Sequence, residues 1–339
     1  MKTKLLITIC IGLLVLVFGI TLGSVYISPS DIFHIILHKV VGTALPENIK
    51  STTVSILWNL RLPRALLAFI AGGALSMSGA VMQAVLRNPL ASSYTIGVSS
   101  GASLGVCIVI LYGVTIPIIG VFTLPIVGFV FGLGTILLAV AFASRLDRSM
   151  ENHTIILTGM VFSLFVNAIV TLMSALSREH LQRLIFWQMG SFSGNSWTTV
   201  LILVPIIIAG LMYITHYHRE LDMMTFGEEQ AKTMGVNLRS VKWILLVSSA
   251  ALTGSIVAFV GVIGFVDLVA PHIVRKLFGS SHRIVIPMSA ILGGAFMVVC
   301  DLIARTVVSP SELPVGAVTA LIGAPFFAYI YFSKRAKKC

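Results

Sequence analysis

Charged residues are scarce in this chain: Asp, Glu, Lys and Arg make up 10% of its 339 residues, and only 12 residues are acidic. Soluble globular proteins carry roughly 25% charged residues, and a soluble domain with so few charges cannot cover its surface. Hydrophobic residues reach 57%, which is more apolar surface than one core of this size can bury. These proportions exclude a soluble enzyme, a disordered chain and a secreted disulfide scaffold, and they predict a polytopic membrane protein.

Catalytic and metal-binding patterns are also missing. The sequence has no G-x-x-x-x-G-K-[ST] phosphate-binding loop, no H-E-x-x-H and no C-x-x-C. The four cysteines are scattered and the eight histidines do not cluster at metal-ligand spacing. We therefore expect no metal, no cofactor and no catalytic residue, which disfavours an integral-membrane enzyme. The net charge of +11 does not indicate nucleic acid as a partner here, because the basic residues flank apolar runs.

Long apolar runs are what the chain has instead. A transmembrane helix needs about 20 apolar residues, and the first run is too long for a signal-peptide core, so we expect an uncleaved first span. Segment 261–277 is short and contains Asp267 and Pro271, and nine spans is therefore the alternative to ten. We predict an all-α integral membrane protein, with residues 1–339 forming a single transmembrane domain. The ten expected spans are 5–26, 64–84, 94–113, 117–143, 154–176, 199–215, 240–259, 261–277, 284–305 and 314–333.

The distribution of basic residues predicts the orientation. Ten spans place both termini on one side, and the larger share of the 23 Lys and Arg residues falls there, which the positive-inside rule assigns to the cytoplasm. Arg61, Arg64 and Arg305 are exceptions at the outer ends of spans.

Two helix breaks, Asn88-Pro89 and Ala270-Pro271, lie near Gly-rich stretches. Similar breaks in the two halves hint at an inverted repeat.

The longest expected cytoplasmic loop, residues 216–241, contains a short amphipathic helix with a Met-rich face. Glu228 and Glu229 suit a helix N-terminus, and Gly235 suits a left-handed C-cap. Such a face favours docking into a partner's groove. The alternative is a helix lying on membrane lipid, which the two acidic residues disfavour.

Carboxylates inside the membrane are limited to Asp267 and Asp301, and such groups are functional candidates because they are costly in lipid. Asp301 lies four residues before Arg305, the spacing of an ion pair on one helix face. Two carboxylates without further partners do not make a proton relay. With no nucleotide site either, the chain is expected to obtain its driving energy from a separate ATPase.

Several short motifs are spread over residues 61–332, and each is weak alone. In chain order they are RLPR (61–64), GAVMQ (79–83), RNPLA (87–91), GVSSGA (97–102), WQMGSFSG (187–194), FGE (226–228), KTMGV (232–236), GFV (264–266), PHIVR (271–275), DLIAR (301–305), ELPVG (312–316) and GAPFF (323–327). Together they resemble the FecCD-type permeases of binding-protein-dependent ABC importers for iron–siderophores, haem and cobalamin.

The resemblance implies a type II ABC importer architecture, in which a ten-helix permease dimerises around a central path. Two cytoplasmic ATPase subunits bind below, an extracytoplasmic substrate-binding protein docks above, and the second permease is identical or a paralogue. Binding-protein docking maps to Arg61, Arg64 and Arg305. The cytoplasmic gate maps to Asn88, Leu90, Asn152 and His153. ATPase coupling maps to about 221–237, with Leu221, Met224, Phe226, Gly227, Glu228, Ala231, Met234 and Gly235 as the expected contacts.

Two positions depart from the family pattern. Asn152 and His153 stand where the cobalamin permease has small hydroxyl residues, and Asp267 stands where Gly is usual.

The expected function is ATP-driven import of an iron–siderophore complex across the bacterial plasma (inner) membrane, by a multi-pass protein with both termini in the cytoplasm. The same machine carrying haem or cobalamin is the first alternative, and an ion-coupled secondary transporter is the alternative from another class.

Overall fold

The computed structural model describes residues 2–23, 27–147, 149–176 and 178–336, and these residues form fourteen α-helices and no strand. The third helix is continuous but passes through a π-helical turn at Ile56–Arg61. In chain order the helices are α1 Lys2–Thr21, α2 Pro29–Val41, α3 Ser51–Val85, α4 Val98–Tyr112, α5 Thr123–Leu146, α6 Asn152–Leu176, α7 Leu181–Gln188, α8 Trp197–His216, α9 His218–Thr225, α10 Glu228–Thr233, α11 Leu238–Val260, α12 Val266–Phe278, α13 His282–Thr306 and α14 Val315–Ala336.

Seven of the described helices are long and apolar enough to cross a bilayer, namely α1, α3, α5, α6, α8, α11 and α13. The prediction of an all-α membrane protein is confirmed, but the count of ten spans is not. Helix α4 is apolar and shorter, with 15 residues, and α14 contains the apolar stretch Val315–Tyr329. Helix α12 has 13 residues, which reach about 20 Å against a hydrocarbon core of about 30 Å.

Three expected spans have different boundaries in the structure. The run 117–143 contains a loop, since a 3-10 turn at Gly120–Phe122 precedes α5. The second expected span, 64–84, begins earlier, because α3 starts at Ser51, and α2 precedes it. The first span ends at Thr21, and residues 24–26 of the expected run lie outside the described residues.

Helix α3 is the centre of the bundle and packs against α11, α12 and α13. Its small residues make this close packing possible. A methyl group added at Gly72 would overlap the carbonyl oxygen of Gly293 in α13, and one at Gly79 would overlap the carbonyl oxygen of Asp267 in α12. The small residues of α3 therefore form its packing surface against α12 and α13.

The two helix breaks meet inside the bundle. The first separates α3 from α4, where the Asn88 side chain accepts a hydrogen bond from the Leu90 N–H. The second lies between α11 and α12, where Gly261 and Phe265 have positive φ. The hydroxyl of Tyr94, from the first break, donates to the carbonyl of Ile263, in the second, at 2.8 Å.

The prediction of a break at Ala270-Pro271 is wrong, because Pro271 lies inside α12. A proline in a helix removes the hydrogen bond to the carbonyl four residues earlier, here the carbonyl of Asp267. In this fold the Gln83 side-chain amide of α3 donates to that carbonyl at 3.1 Å. Helix α3 therefore supplies the missing donor. The helix interruption lies before α12, between Val260 and Val266.

Candidate docking and coupling sites

Three arginines and two acids meet at the end of the bundle that the sequence predicts to face outward, and we call them the outer arginine cluster: Arg61, Arg64, Asp301, Arg305 and Glu312. Arg64 lies at its centre. Its Nε and Nη2 donate to the Asp301 carboxylate at 2.8–3.2 Å, and its Nη1 donates to Glu312 Oε1 at 2.7 Å. The Asp301 side chain is 2% exposed, whereas that of Glu312 is 38% exposed. The central ion pair is therefore buried, and the outer one faces solvent.

The other two arginines of the cluster bind the first helix. Arg61 Nη1 donates to the carbonyl of Thr21 at 3.0 Å, and Arg305 Nη2 donates to that of Gly19. Arg305 Nε also lies 3.7 Å from Asp301 Oδ2, which confirms the predicted ion pair on one helix face. The cluster borders a cavity of about 360 Å³. All three arginines predicted for docking thus come together, but the protein's own oxygens hold them.

The sequence reasoning did not foresee the contacts of Arg64 with Asp301 and Glu312. These residues are separated from Arg64 by 237 and 248 positions, and no local spacing connects them. The only available signals were the four-residue spacing of Asp301 and Arg305 and the ELPVG motif that contains Glu312.

At the opposite end, which the sequence predicts to be cytoplasmic and which we call the inner end, two helices, α9 and α10, occupy the segment where one short amphipathic helix was expected. Gly227 begins α10 with a φ of 131°, and the prediction that Gly235 takes a left-handed conformation after the helix is confirmed by its φ of 89°. Both positions need glycine because other residues are strained there. Helix α9 is fixed to the bundle by Asp222, which accepts hydrogen bonds from the backbone N–H and Nδ1 of His282 at 2.7 Å each.

The apolar side chains among the residues predicted for ATPase coupling divide into two groups by burial. Leu221, Met224 and Ala231 are fully buried in the main core of the bundle. Phe226 and Met234 are 71% and 52% exposed. The first group fixes α9 and α10 to the spans, and only the second offers apolar surface to another protein. The Met-rich face is therefore smaller than the sequence suggests.

Glu228 binds a buried lysine of α11. Lys242, on α11, is completely buried, and its Nζ donates to Glu228 Oε1 at 2.9 Å and to the carbonyl of Met150 at 2.6 Å. Its position five residues into an apolar helix was the one available signal that it is not a surface charge. It links α10, α11 and the turn between α5 and α6.

An inner cavity of about 630 Å³ is bordered by Glu228, the partner of this lysine. Two of the predicted gate residues, Asn152 and His153, line it together with Glu228 and Lys232 of α10. The other two do not: Asn88 binds its own turn, and Leu90 is half exposed on the first break. The structure thus places Asn152 and His153 next to the predicted coupling helix.

Asp267 lies in the first turn of α12 and is 3% exposed. Its Oδ1 has no hydrogen-bond partner among the described residues. Among the residues that the structure describes, no three or more His, Cys, Asp or Glu side chains are grouped so that they could hold a metal ion.

Residues 9–333 match the profile of the FecCD transport family. The chain belongs to this family. The match covers most of the chain, from the first helix to the last, and includes both ends of the bundle described above. As a FecCD permease the chain is a transport subunit of a binding-protein-dependent ABC importer, not an enzyme, and a multi-pass membrane protein.

Individual relatives agree with the family assignment. The uncharacterised ABC transporter permease YvrB of Bacillus subtilis is 41% identical over 315 residues, which cover 93% of this chain and 89% of that protein. The hemin transport system permease HmuU of Yersinia pestis is 36% identical over 285 residues, covering 83% and 84% of the two chains. A solved metal-chelate type ABC transporter in an inward-facing conformation superposes with a TM-score of 0.85 at 28% identity, over 98% of this chain and all of the other.

Proposed function

We propose that this FecCD permease imports a ferric siderophore complex across the plasma membrane. It works as one of two permease subunits, with two ATPases on the cytoplasmic side and a substrate-binding protein on the outer side. The observation that carries the proposal is the FecCD match from residue 9 to residue 333, joined to the superposition on a metal-chelate type transporter. An ATP-driven importer needs no coupling-ion site, and family membership therefore favours it over a secondary transporter.

The charge of the outer arginine cluster supports docking of an acidic surface. Arg61, Arg64 and Arg305 contribute three positive charges, and Asp301 and Glu312 contribute two negative ones, so the cluster keeps a net positive charge on the outer side. Carboxylates of a binding protein gain charge-assisted hydrogen bonds from arginine and are oriented by complementary charge.

Exposed apolar residues beside a fixed support favour ATPase contact at the inner end. Phe226 and Met234 project from a helix pair whose other apolar residues are buried in the bundle. A push on these two side chains therefore reaches the spans directly. The termini are accordingly proposed to lie on this cytoplasmic side.

Exposed apolar side chains on α6 and α14 offer surface that a second permease subunit would cover. In its most apolar stretch α3 has 83% of its residues buried, whereas α6 has 28%. Leu164 and Phe165 of α6 and Leu321 of α14 are exposed large apolar side chains. A second copy or a paralogue covering part of these helices would surround the central path.

Transport in proteoliposomes tests the proposal. The permease would be assembled with its ATPase and binding protein, and uptake of ferric siderophores, haem and cobalamin compared with ATP inside or outside the vesicles. We expect uptake of a ferric siderophore only where ATP reaches the ATPase. Uptake of haem or cobalamin alone would support the alternative cargo, and uptake driven by an ion gradient without ATPase would contradict the importer.

Docking is tested separately with Arg61→Gln and Arg305→Gln, measured as binding-protein affinity for the permease in nanodiscs at low salt. Arg183→Gln is the matched control, because Arg183 is an exposed arginine on α7. We expect weaker docking for the two cluster variants and native affinity for the control. Equal affinities would contradict the assigned role.

A further inference from the structure

Lys242 connects α10, which belongs to the proposed ATPase contact, with the start of α6, which carries two predicted gate residues. Its ammonium binds the carboxylate of Glu228, at the start of α10, and the carbonyl of Met150, just before α6. Helix α10 belongs to the proposed ATPase contact, and α6 begins with the predicted gate residues Asn152 and His153. No other residue described by the structure donates side-chain hydrogen bonds to both elements.

Burial makes this connection specific. The Lys242 side chain is 0% exposed, and an isolated ammonium in such a place is strongly unfavourable. The pairing with Glu228 is therefore a requirement of the fold at this point. If α10 moves, Lys242 either follows Glu228 or is left as an uncompensated buried charge, which is the more costly outcome.

The turn that Lys242 holds is closed by hydrogen bonds of its own. Asp147 accepts hydrogen bonds from the N–H groups of Ser149 and Glu151 at 2.9 and 2.7 Å, and from the Ser149 hydroxyl. The Ser149 hydroxyl and these N–H groups lower the pKa of Asp147, so its carboxylate stays charged at neutral pH. The N–H of Ile155 donates to the carbonyl of Glu151, which joins the turn to α6.

We propose that Lys242 is a positioning residue that transmits the movement of α10 to the start of α6. The path runs from Glu228 through the Lys242 ammonium to the Met150 carbonyl, and from there through the bonded turn to Asn152 and His153. These last two line the inner cavity that α10 also borders. The inference rests on the proposed role of α10 as an ATPase contact.

Hydrogen exchange on the assembled transporter in nanodiscs tests this path. In the native complex, trapping with ATP and vanadate changes amide exchange in 228–233 and in 147–155 together. In Glu228→Gln and Lys242→Met, α10 still responds, but the nucleotide-dependent change at 147–155 falls at least about fivefold, the lower end of usual coupling between sites. ATP hydrolysis continues in both variants while uptake falls, a separation that general destabilisation would not produce.

The chain offers a matched control for each variant. Glu47→Gln and Lys39→Met remove the same charges from exposed positions outside α9 and α10 and leave both responses as in the native protein. Should Lys242→Met fail to fold, Glu228→Gln carries the test, since it keeps the shape of the side chain.

The outcomes separate the two proposals. An unchanged response at 147–155 and unchanged uptake in Glu228→Gln would overturn the role of Lys242 alone. A native complex in which α10 itself does not respond to nucleotide would overturn the ATPase contact on which the inference rests.

Discussion

The two ends of the bundle hold their buried cations differently. At the outer end, Arg64 is paired with Asp301, which is buried, and with Glu312, which faces solvent. At the inner end, Lys242 is fully buried, and its acid, Glu228, is partly exposed on a short surface helix. The outer cluster thus has a permanent internal pair and one replaceable contact, whereas the inner pair connects the core to a peripheral helix. This difference suits an outer end that receives a partner and an inner end that transmits a push.

Arg64→Ala is expected to have the largest effect on stability. It leaves the Asp301 carboxylate buried, and removing one partner of a buried ion pair costs about 3–5 kcal/mol. Thermal unfolding of the purified chain in detergent measures the loss, with Arg183→Ala as the exposed control. If the two variants unfold at the same temperature, the outer cluster has no internal pair of this kind.

Leu221→Ala should follow at the inner end. Leu221 is fully buried in the bundle core, and a Leu-to-Ala change at such a site costs about 2–5 kcal/mol. Phe226→Ala removes an exposed side chain and should leave the unfolding temperature nearly unchanged while weakening association with the ATPase. Co-purification and thermal unfolding of both variants check this; a stability loss for Phe226→Ala equal to that for Leu221→Ala would refute the division of the coupling residues.

Glu312→Gln has the smallest expected effect on stability, less than about 1 kcal/mol, because solvent-exposed ion pairs contribute little. The same change raises the net charge of the outer arginine cluster by one and removes a competitor for the Arg64 guanidinium. Binding-protein affinity in nanodiscs should therefore increase. Weaker docking would instead indicate that Glu312 itself contacts the partner.

The sequence predicted those parts of the fold that depend on composition and local spacing. Apolar runs located most of the helices, and the spacing of Asp301 and Arg305 predicted their ion pair. Contacts between distant positions were not accessible in this way. Whether Lys242 meets solvent or Glu228 depends on how α10 folds back on α11, and the hydropathy of α11 does not contain that information.

The error at Pro271 has a related cause. A proline in the sequence shows that one hydrogen bond is lost along its own helix. It does not show whether a neighbouring helix supplies another donor. Gln83 lies 184 positions from Asp267, and only the packing of α3 against α12 shows that it replaces the missing donor. The proline thus marked the point of α12 where a backbone hydrogen bond is missing, but the helix does not break there.

The hydrogen bond from Gln83 to the Asp267 carbonyl also limits how the protein can change shape. If α12 slid along α3, a peptide oxygen would be stranded without a donor in hydrocarbon, where each such group costs several kcal/mol. Directly beside it, the missing side chain of Gly79 lets the two backbones touch. Helices α3 and α12 should therefore travel as one rigid body throughout the transport cycle, and the bending that alternates access should fall on the segments around them.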